Sequence, residues 1–300
     1  MVNAVDEVSF TIFPGETLGL VGESGCGKST LARVMLRLIP PSGGKIFYNG
    51  HDITTLAQKE LRKIRTKLQI IFQHPESALN PRMKIYDSLL EPMQIQGMLD
   101  TGQDEKKKAY ELIESVGLKE EHLNRYPHEL SGGQIQRVVL ARILSLQPEF
   151  IVADEPTSML DVSVQAQMLN LLKEIQKKFN LSYLFVSHDL EVVRWMSDRI
   201  AIMYGGGIVE IGQAEEVSEH PRHPYTQILV KAFLAFENGR HKFIKTPERS
   251  SDQFITEEFK SESPSGCKFY PYCPKAKDVC RKRPELEELK KDYYVACWQV

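Results

Sequence analysis

No run of apolar residues in the 300-residue sequence approaches the roughly 18 residues that a membrane-spanning helix needs. The first residues, Met1–Glu7, are acidic and lack the apolar core of a secretory signal peptide. Neither sign of charge dominates, because 38 Lys and Arg stand against 40 Asp and Glu, a formal net charge of −2. General nucleic-acid binders usually carry a basic excess. We therefore expect a cytosolic protein that has no membrane span of its own and no nucleic-acid partner.

Short apolar segments alternate with helical patterns along much of the chain. Segments typical of strands lie at residues 17–21, 68–72, 150–153, 183–186 and 200–204. Such alternation is typical of an α/β fold with a parallel sheet. Two further strands are predicted, one at Val8–Phe13 and one at Lys45–Tyr48 that turns at Asn49-Gly50. Helical patterns dominate from about residue 80 to 147, which predicts a helical subdomain inserted between the early and the late strands.

The character of the sequence changes near residue 235. Residues 237–266 are polar and rich in Ser, Glu and Lys, which predicts a linker. Four of the five cysteines follow within the last 34 residues, at Cys267, Cys273, Cys280 and Cys297. We predict one domain over residues 1–235 and, over 236–300, a linker with a small cysteine-rich extension.

A glycine-rich loop lies between the strand at 17–21 and a predicted helix. Residues Gly22–Ser29 read G-E-S-G-C-G-K-S, which fits the pattern G-x-x-x-x-G-K-[ST]. Its glycines let the backbone wrap around phosphate oxygens, Lys28 reaches the β- and γ-phosphates, and the Ser29 hydroxyl binds Mg²⁺. A glycine-rich turn with a chance lysine is the alternative, which the flanking elements disfavour. The predicted nucleotide-binding residues are Gly22, Glu23, Ser24, Gly25, Cys26, Gly27, Lys28, Ser29 and Thr30, with Cys26 as an incidental small residue rather than a nucleophile.

Two carboxylates end a later apolar strand, where Phe150–Ala153 is followed by Asp154 and Glu155. In phosphoryl-transfer sites an aspartate at such a strand end holds Mg²⁺. The adjacent glutamate is then placed to activate a water for attack on the γ-phosphate. Two acids after a strand are weak evidence alone, but in a chain with a phosphate loop they predict a Mg²⁺ ligand and a general base.

A second anion-binding helix end is predicted at residues 130–134, Leu-Ser-Gly-Gly-Gln, before a helical run at 135–146. Ser131 can cap that helix while Gly132 and Gly133 leave their N–H groups open. For this pentapeptide alone an ordinary capped helix is the better interpretation. Together with the two other motifs, in this order, it predicts nucleotide binding by Ser131, Gly132, Gly133 and Gln134.

In this order the motifs resemble those of ABC transporter ATPase subunits, from Val5 to about Gly212. Gly22–Ser29 matches the Walker A loop, Leu130–Gln134 the signature, and Ile151–Glu155 the end of Walker B. The resemblance implies a P-loop NTPase fold, with a RecA-like core, a small antiparallel β region and a helical subdomain. The cysteine-rich extension follows that cassette.

The resemblance also implies roles for three further residues. Gln73 matches the Q-loop glutamine, which links Mg²⁺ to the helical subdomain, and Asp161 matches the D-loop. His188 matches the switch histidine, which positions the γ-phosphate and Glu155. Glu155, His188 and Gln73 would then be catalytic, and Ser29, Gln73 and Asp154 would hold Mg²⁺. In this family two ATPases face head to tail, and each ATP lies between one Walker A loop and the partner's signature.

Shorter motifs at residues 126–130, 161–167 and 223–226 resemble the ATPases of oligopeptide and dipeptide importers, and those at 15–21, 80–83 and 208–212 resemble their F-type member. The resemblance implies ATP hydrolysis coupled to peptide import at the cytoplasmic face of the membrane. It implies two transmembrane permease subunits, a second ATPase of the D-type (or a second copy in vitro), and an indirect link to a solute-binding protein. Close relatives handle nickel, so import of nickel or another solute is the alternative.

Family members carry an aromatic residue that stacks on adenine, upstream of where this sequence begins. Here Met1 lies 21 residues before Gly22, and Phe10 and Phe13 fall within the first predicted strand. The resemblance thus predicts a truncated chain or a misassigned start. Loss of a stacking contact of about 0.5–1.5 kcal/mol would weaken ATP binding by roughly tenfold at most.

The four clustered cysteines are separated by 5, 6 and 16 residues, wider spacings than those of a zinc ribbon. In a reducing compartment such a cluster more often marks a metal site than disulfides. Four thiolates suit a [4Fe–4S] cluster or tetrahedral Zn²⁺, and the resemblance favours the iron–sulfur cluster. Unliganded or oxidised cysteines are the third alternative.

Two other function classes compete with transport. ABC-type ATPases of DNA repair or translation usually carry two cassettes or a long coiled-coil insertion, and the sequence shows neither. A catalytically silent, regulatory nucleotide-binding half is disfavoured by Glu155, His188 and the intact signature.

Overall fold

The structure, a computed structural model, describes residues 3–99, 103–158, 160–237 and 266–300. They fall into two compact units. The larger unit is Thr11–Leu18 and Ser29–Ser187, and the smaller unit is Gly19–Lys28, His188–Val300 and the N-terminal segment up to Phe10, each within the described ranges. The predicted linker lies almost entirely outside the described residues, and the domain boundary at residue 235 stays a prediction.

Ten strands and nine helices are found in the described part of the chain. The strands are β1 (Thr17–Val21), β2 (Phe47–Tyr48), β3 (His51–Asp52), β4 (Leu68–Ile71), β5 (Phe150–Asp154), β6 (Ser182–Val186), β7 (Arg199–Tyr204), β8 (Gly207–Gln213), β9 (Glu287–Lys290) and β10 (Tyr293–Val295). The helices are α1 (Lys28–Met35), α2 (Gln58–Ile64), α3 (Ile85–Ile95), α4 (Gln103–Ser115), α5 (Gly132–Leu144), α6 (Val162–Phe179), α7 (Leu190–Met196), α8 (Ala214–Glu219) and α9 (Pro224–Glu237). None of these helices has the length and apolar character needed to cross a bilayer.

The larger unit is built on parallel strands in the order β4-β5-β6, followed by the first residues of β1. Leu68 pairs with Phe150, and Phe150 pairs with Ser182, so these three strands end at the same edge. Their side chains are mostly buried, as expected of a parallel sheet covered on both faces. The predicted helical region contains α3, α4 and α5, of which α3 and α4 pack against α5.

The smaller unit is antiparallel, in the strand order β7-β8-β10-β9 beyond the last residues of β1. The parallel sheet predicted from the alternation is confirmed for β4, β5 and β6 but is wrong for the pair β7 and β8, so the sheet is mixed. Gly205 and Gly206, at φ +53° and +87°, join β7 to β8 in a two-residue turn. Such a turn leaves no chain for the crossover that a parallel pair requires.

The N-terminal strand prediction is also wrong, because Val8–Phe13 belongs to no ladder among the described residues. Alternate side chains, those of Val8, Phe10 and Ile12, are nevertheless half-buried. Alternation therefore predicted the half-buried face correctly, but an extended segment becomes a strand only where a neighbour bonds to it. The predicted Asn-Gly turn is confirmed, since Asn49 and Gly50 adopt φ +48° and +78° between β2 and β3.

Helix α9 begins beside a buried histidine. His223 is 1% exposed, and its Nδ1 accepts a hydrogen bond from the N–H of Tyr225 at 3.1 Å. Burial lowers the pKa of His223 to about 4, from 6.5. Between those two values the unfolded chain binds a proton that the folded protein does not, so stability is complete above pH 6.5 and falls as the pH drops through this window.

We expect the protonation equilibrium of His223 to lower the free energy of unfolding by about 2 kcal/mol when the pH falls from 7 to 5. Burial raises the pKa of nearby Glu210, whose contribution therefore has the opposite sign, so the wild-type slope alone does not isolate the histidine. The measurement is urea unfolding of wild type and His223→Gln at both pH values. The variant should lose less stability than wild type on acidification, and equal losses would contradict the assignment.

Candidate active site

The loop between β1 and α1 is a tight backbone cradle with one buried ammonium group. Lys28 Nζ donates to the carbonyl oxygens of Gly22 at 2.7 Å and Glu23 at 2.9 Å, and the residue is 7% exposed. A Cβ on Gly22 would lie 2.2 Å from a carbonyl oxygen of β7. A Cβ on Gly27, at φ +110°, would lie 2.0 Å from a carbonyl oxygen of the N-terminal segment. Only glycine fits these positions, and the resulting loop suits an anion.

The other residues predicted for the loop differ in exposure. Glu23, Ser24 and Gly25 lie on the surface, and Thr30 is half-buried in α1. Burial raises the pKa of the Cys26 thiol, which keeps it protonated at neutral pH. This agrees with a packing role for Cys26 rather than a nucleophilic one.

Ser29 and Asp154 meet in the larger unit. The Ser29 hydroxyl donates to Asp154 Oδ1 at 3.2 Å, and the aspartate is buried at the end of β5. A hydroxyl and a carboxylate are hard oxygen ligands of the kind that Mg²⁺ prefers. The two side chains therefore fit the predicted Mg²⁺ site.

Gln73 and Glu155 form a second pair at the ends of β4 and β5. Gln73 Nε2 donates to Glu155 Oε2 at 3.0 Å. Glu155 has φ +49°, a left-handed conformation that costs a non-glycine residue of the order of 1–3 kcal/mol, and its N–H donates to the Val186 carbonyl at 2.9 Å. Strained residues of this kind cluster at active sites, which strengthens the case for Glu155.

The predicted cap of α5 is confirmed. The N–H of Gln134 donates to Ser131 Oγ at 3.3 Å, and the N–H of Ser131 donates to Gln134 Oε1 at 3.0 Å. The start of α6 lies close by, since a Cβ on Gly133 would come within 2.7 Å of the Val164 side chain. Asp161 Oδ1 accepts from the N–H of Val164 at 3.0 Å and so caps α6. Signature and D-loop residues thus share one surface of the larger unit.

His188 lies in the smaller unit, two residues after the end of β6. It is exposed. The next residue, Asp189, caps α7 by accepting from the N–H groups of Glu191 and Val192 at 3.0 and 3.2 Å. Met159, within the predicted D-loop, lies outside the described residues.

The cysteine-rich extension, which contains Cys267, Cys273, Cys280 and Cys297, is called the tail below. Its predicted metal site is not supported by the arrangement of the side chains. Among the residues that the structure describes, no three His, Cys, Asp or Glu side chains come together closely enough to hold a metal ion. Cys26, Cys267, Cys273, Cys280 and Cys297 are all free thiols. Burial raises the pKa of the Cys297 thiol, and the charges of the other three tail cysteines raise it further.

Two residues that contact the site were not predicted from the sequence. Tyr225 Oη accepts from the N–H of Glu23 in the glycine-rich loop at 3.3 Å. Gln136 Nε2 donates to the carbonyl of Pro156, directly after Glu155, at 2.9 Å. The motif at residues 223–226 drew attention to Tyr225 without giving it a role, whereas nothing in the sequence marked Gln136.

The sequence pattern of the family described as ABC transporter matches residues 5–158, just over half of the chain. The chain belongs to the ABC transporter family. A second pattern, described as the oligopeptide/dipeptide transporter C-terminal region, matches residues 209–280. The protein is therefore an ABC transporter ATPase, and subunits of this kind dimerise and work with membrane permeases.

Relatives of this ABC subunit match along most of its length. The oligopeptide transport ATP-binding protein AppF of Bacillus subtilis (strain 168) is 45% identical over 302 residues, which is 99% of this chain and 89% of AppF. The oligopeptide transport ATP-binding protein OppF of the same organism is 51% identical over 232 residues, 77% of this chain and 76% of OppF.

Solved structures show the same ABC cassette fold. The cassette MJ0796, described as a dimeric post-hydrolysis state bound to ADP and Pi, has a TM-score of 0.64 at 30% identity and covers 71% of this chain and 91% of its own. CbiO1 of Clostridium perfringens, described as part of the ABC transporter complex cbiONQ, has a TM-score of 0.67 at 26% identity, covering 79% and 91%.

Proposed function

We propose that this ABC subunit hydrolyses ATP to energise the import of oligopeptides or dipeptides. The catalytic part of this proposal rests on the hydrogen bond between Gln73 and Glu155. Glu155 is the next residue in sequence after Asp154, whose carboxylate is bonded to Ser29. Support for peptides as the solute comes from the transporter C-terminal region at residues 209–280 and from relatives named as oligopeptide transport proteins.

The glycine-rich loop and Lys28 bind the phosphates of ATP in this proposal. The backbone N–H groups of Gly22–Lys28 and the N-terminus of α1 attract the phosphates. Lys28 would exchange its two carbonyl partners for β- and γ-phosphate oxygens. Ser29, Asp154 and Gln73 would hold Mg²⁺, which when bound neutralises charge on the phosphates.

Glu155 is the general base of hydrolysis in this proposal. Its carboxylate accepts a proton from the attacking water while the water oxygen bonds to the γ-phosphorus and the bond to ADP breaks. The amide of Gln73 holds that carboxylate in place by the hydrogen bond of 3.0 Å. His188 orients the γ-phosphate in this proposal.

The second half of each site comes from another subunit. Ser131, Gly132, Gly133 and Gln134, together with Asp161, would contact the nucleotide bound by the partner. The close approach of Gly133 to Val164 favours this role, because it joins signature and D-loop residues on one surface. We propose a D-type paralogue as the physiological partner, with a second copy of this chain able to replace it in vitro.

Mixing two inactive variants tests the shared site. A Glu155→Gln chain keeps a normal signature, and a Ser131→Arg chain keeps a normal general base. Each variant alone should be inactive as a homodimer, whereas a mixed dimer contains one intact site. With random pairing of equal amounts, up to about a quarter of wild-type activity should return.

The control for this experiment mixes differently tagged copies of the same variant, which should show no recovery. Ser131→Arg also removes a helix cap worth about 0.5–2 kcal/mol, so its folding is checked by thermal unfolding. Failure to recover activity in verified mixed dimers would mean that signature and general base act on the same nucleotide within one chain.

The remaining partners are two transmembrane permease subunits, which would hold this chain at the cytoplasmic face of the membrane, and a solute-binding protein that acts through them. The measurement is copurification of a tagged chain with the permeases and the D-type paralogue from detergent-solubilised membranes. Recovery of all three with this chain is the expected result.

We also propose that the tail cysteines bind a [4Fe–4S] cluster, with Zn²⁺ as the alternative. Support comes from the four cysteines themselves, which are enough for four thiolate ligands, and from the N–H of Gln299, which donates to Cys297 Sγ at 3.4 Å. Hydrogen bonds of this kind to sulfur are typical around iron–sulfur clusters. Anaerobic purification with absorbance and metal analysis tests this; colourless protein free of iron would contradict the cluster, and zinc-free protein the alternative.

A further inference from the structure

The glycine-rich loop is tied to helix α9 by one side chain. Tyr225, the second residue of α9, accepts a hydrogen bond from the N–H of Glu23 at 3.3 Å and is only 3% exposed. Burial raises the pKa of Tyr225 far above its ordinary value, so its hydroxyl stays neutral at any working pH. The bond spans 202 positions of sequence within the smaller unit. It fixes the backbone at the start of the loop.

The ring of Tyr225 is held in turn by an aromatic cluster. Its centroid lies 4.6 Å from that of Tyr204 at the end of β7 and 5.5 Å from that of Phe269. Phe269 also meets Tyr204 edge-on at 5.2 Å and is 6% exposed. Aromatic pairs in these geometries attract each other beyond simple burial. The position of the Tyr225 hydroxyl therefore depends on Phe269.

Phe269 belongs to the tail, between Cys267 and Cys273. The neighbouring Lys268 anchors this stretch, because its Nζ donates to the carbonyl of Gly205 at 2.6 Å and pairs with Asp6 at 2.7 Å. Strand β10 also bonds to β8 in the same unit. Residues 266–300 of the tail are thus packed within the smaller unit, where one aromatic ring lies against the residue that contacts the loop.

We infer that Tyr225 is a positioning residue for the phosphate loop and that Phe269 of the tail holds it in place. The tail thereby sets the affinity of the loop for nucleotide, an inference that rests on the proposed binding of ATP there. A loop already held in its binding geometry loses less conformational freedom when ATP binds. Loosening it raises Kd and KM for ATP but leaves the turnover of bound ATP unchanged.

Tyr225→Phe tests this inference by removing the hydroxyl and keeping the ring. We expect Kd and KM for ATP to rise about 2- to 10-fold, the effect of one ordinary hydrogen bond, with kcat unchanged. The matched control is Tyr110→Phe, which removes a hydroxyl bonded to Glu120 in the larger unit and should leave both constants unchanged.

Phe269→Leu, which keeps an apolar side chain in the tail, should also raise Kd for ATP. Its effect should shrink in the double variant with Tyr225→Phe, because both changes act through one contact.

Amide hydrogen exchange of Glu23 in nucleotide-free protein provides a readout independent of ATP. We expect Glu23 to exchange faster in Tyr225→Phe and in Phe269→Leu than in wild type, while Tyr110→Phe matches wild type. Unchanged exchange together with unchanged Kd would overturn the inference. A wild-type protein that binds no ATP would instead contradict the proposed function, whereas the exchange result would still decide whether Tyr225 holds the loop.

Discussion

Replacing Glu155 by Gln is expected to lower steady-state ATP hydrolysis by about 100-fold or more, the usual contribution of a general base. Glutamine keeps the size of the side chain but cannot accept the proton of the attacking water. The hydrogen bond from Gln73 can persist, because the glutamine amide also offers an oxygen acceptor. ATP binding should therefore survive, and the measurements are phosphate release and equilibrium binding of labelled ATP.

Glu111→Gln is the matched control for Glu155→Gln. Glu111 is an exposed residue of α4 whose carboxylate pairs with Lys107 at 3.9 Å, a surface interaction of little energetic weight. The same chemical change there should leave hydrolysis at the wild-type rate. Near-normal turnover in Glu155→Gln would reject Glu155 as the general base.

Replacing Lys28 by Met is expected to weaken ATP binding by roughly 30-fold or more, the effect of truncating one member of a buried charge pair. Methionine keeps a flexible side chain that extends as far as Cε, but it lacks the ammonium group. Lys28 also donates to two carbonyl oxygens of its own loop, so the variant also loses two hydrogen bonds that stabilise the loop. Isothermal titration with ATP measures the change in Kd.

Lys107→Met, on the surface of α4, is the control for Lys28→Met and should bind ATP as wild type does. Thermal unfolding of both variants separates a folding defect from a binding defect. A folded Lys28→Met protein with wild-type Kd would place the phosphates somewhere other than this loop.

Local patterns predicted the parts of the site that are continuous in sequence. The loop at Gly22–Ser29, the cap at Ser131 and the two acids at the end of β5 each depend on neighbouring residues, so the sequence alone located them. The five strands at 17–21, 68–72, 150–153, 183–186 and 200–204 are found to within one residue. Their pairing order was not predictable, since it depends on contacts between distant segments.

Contacts between distant segments were missed for the same physical reason. The hydrogen bond from Glu23 to Tyr225 joins residues 202 positions apart, and no periodicity reports it. The turn at Gly205-Gly206 did carry a local signal for an antiparallel pair, which the interpretation as a parallel sheet overlooked. In the tail, the cysteine spacing drew attention to metal chemistry, while the pairing of β10 with β8 had no comparable signal.

Peptide uptake by reconstituted vesicles tests the central claim most directly. The complete transporter, with permeases, paralogue and solute-binding protein, is assembled with either wild-type chain or Glu155→Gln, and uptake of a labelled peptide is measured with ATP inside or outside the vesicles. We expect uptake only when ATP is present on the side where this subunit lies, and a loss of most or all of it with Glu155→Gln. Equal uptake by both assemblies, or uptake without ATP, would contradict the account.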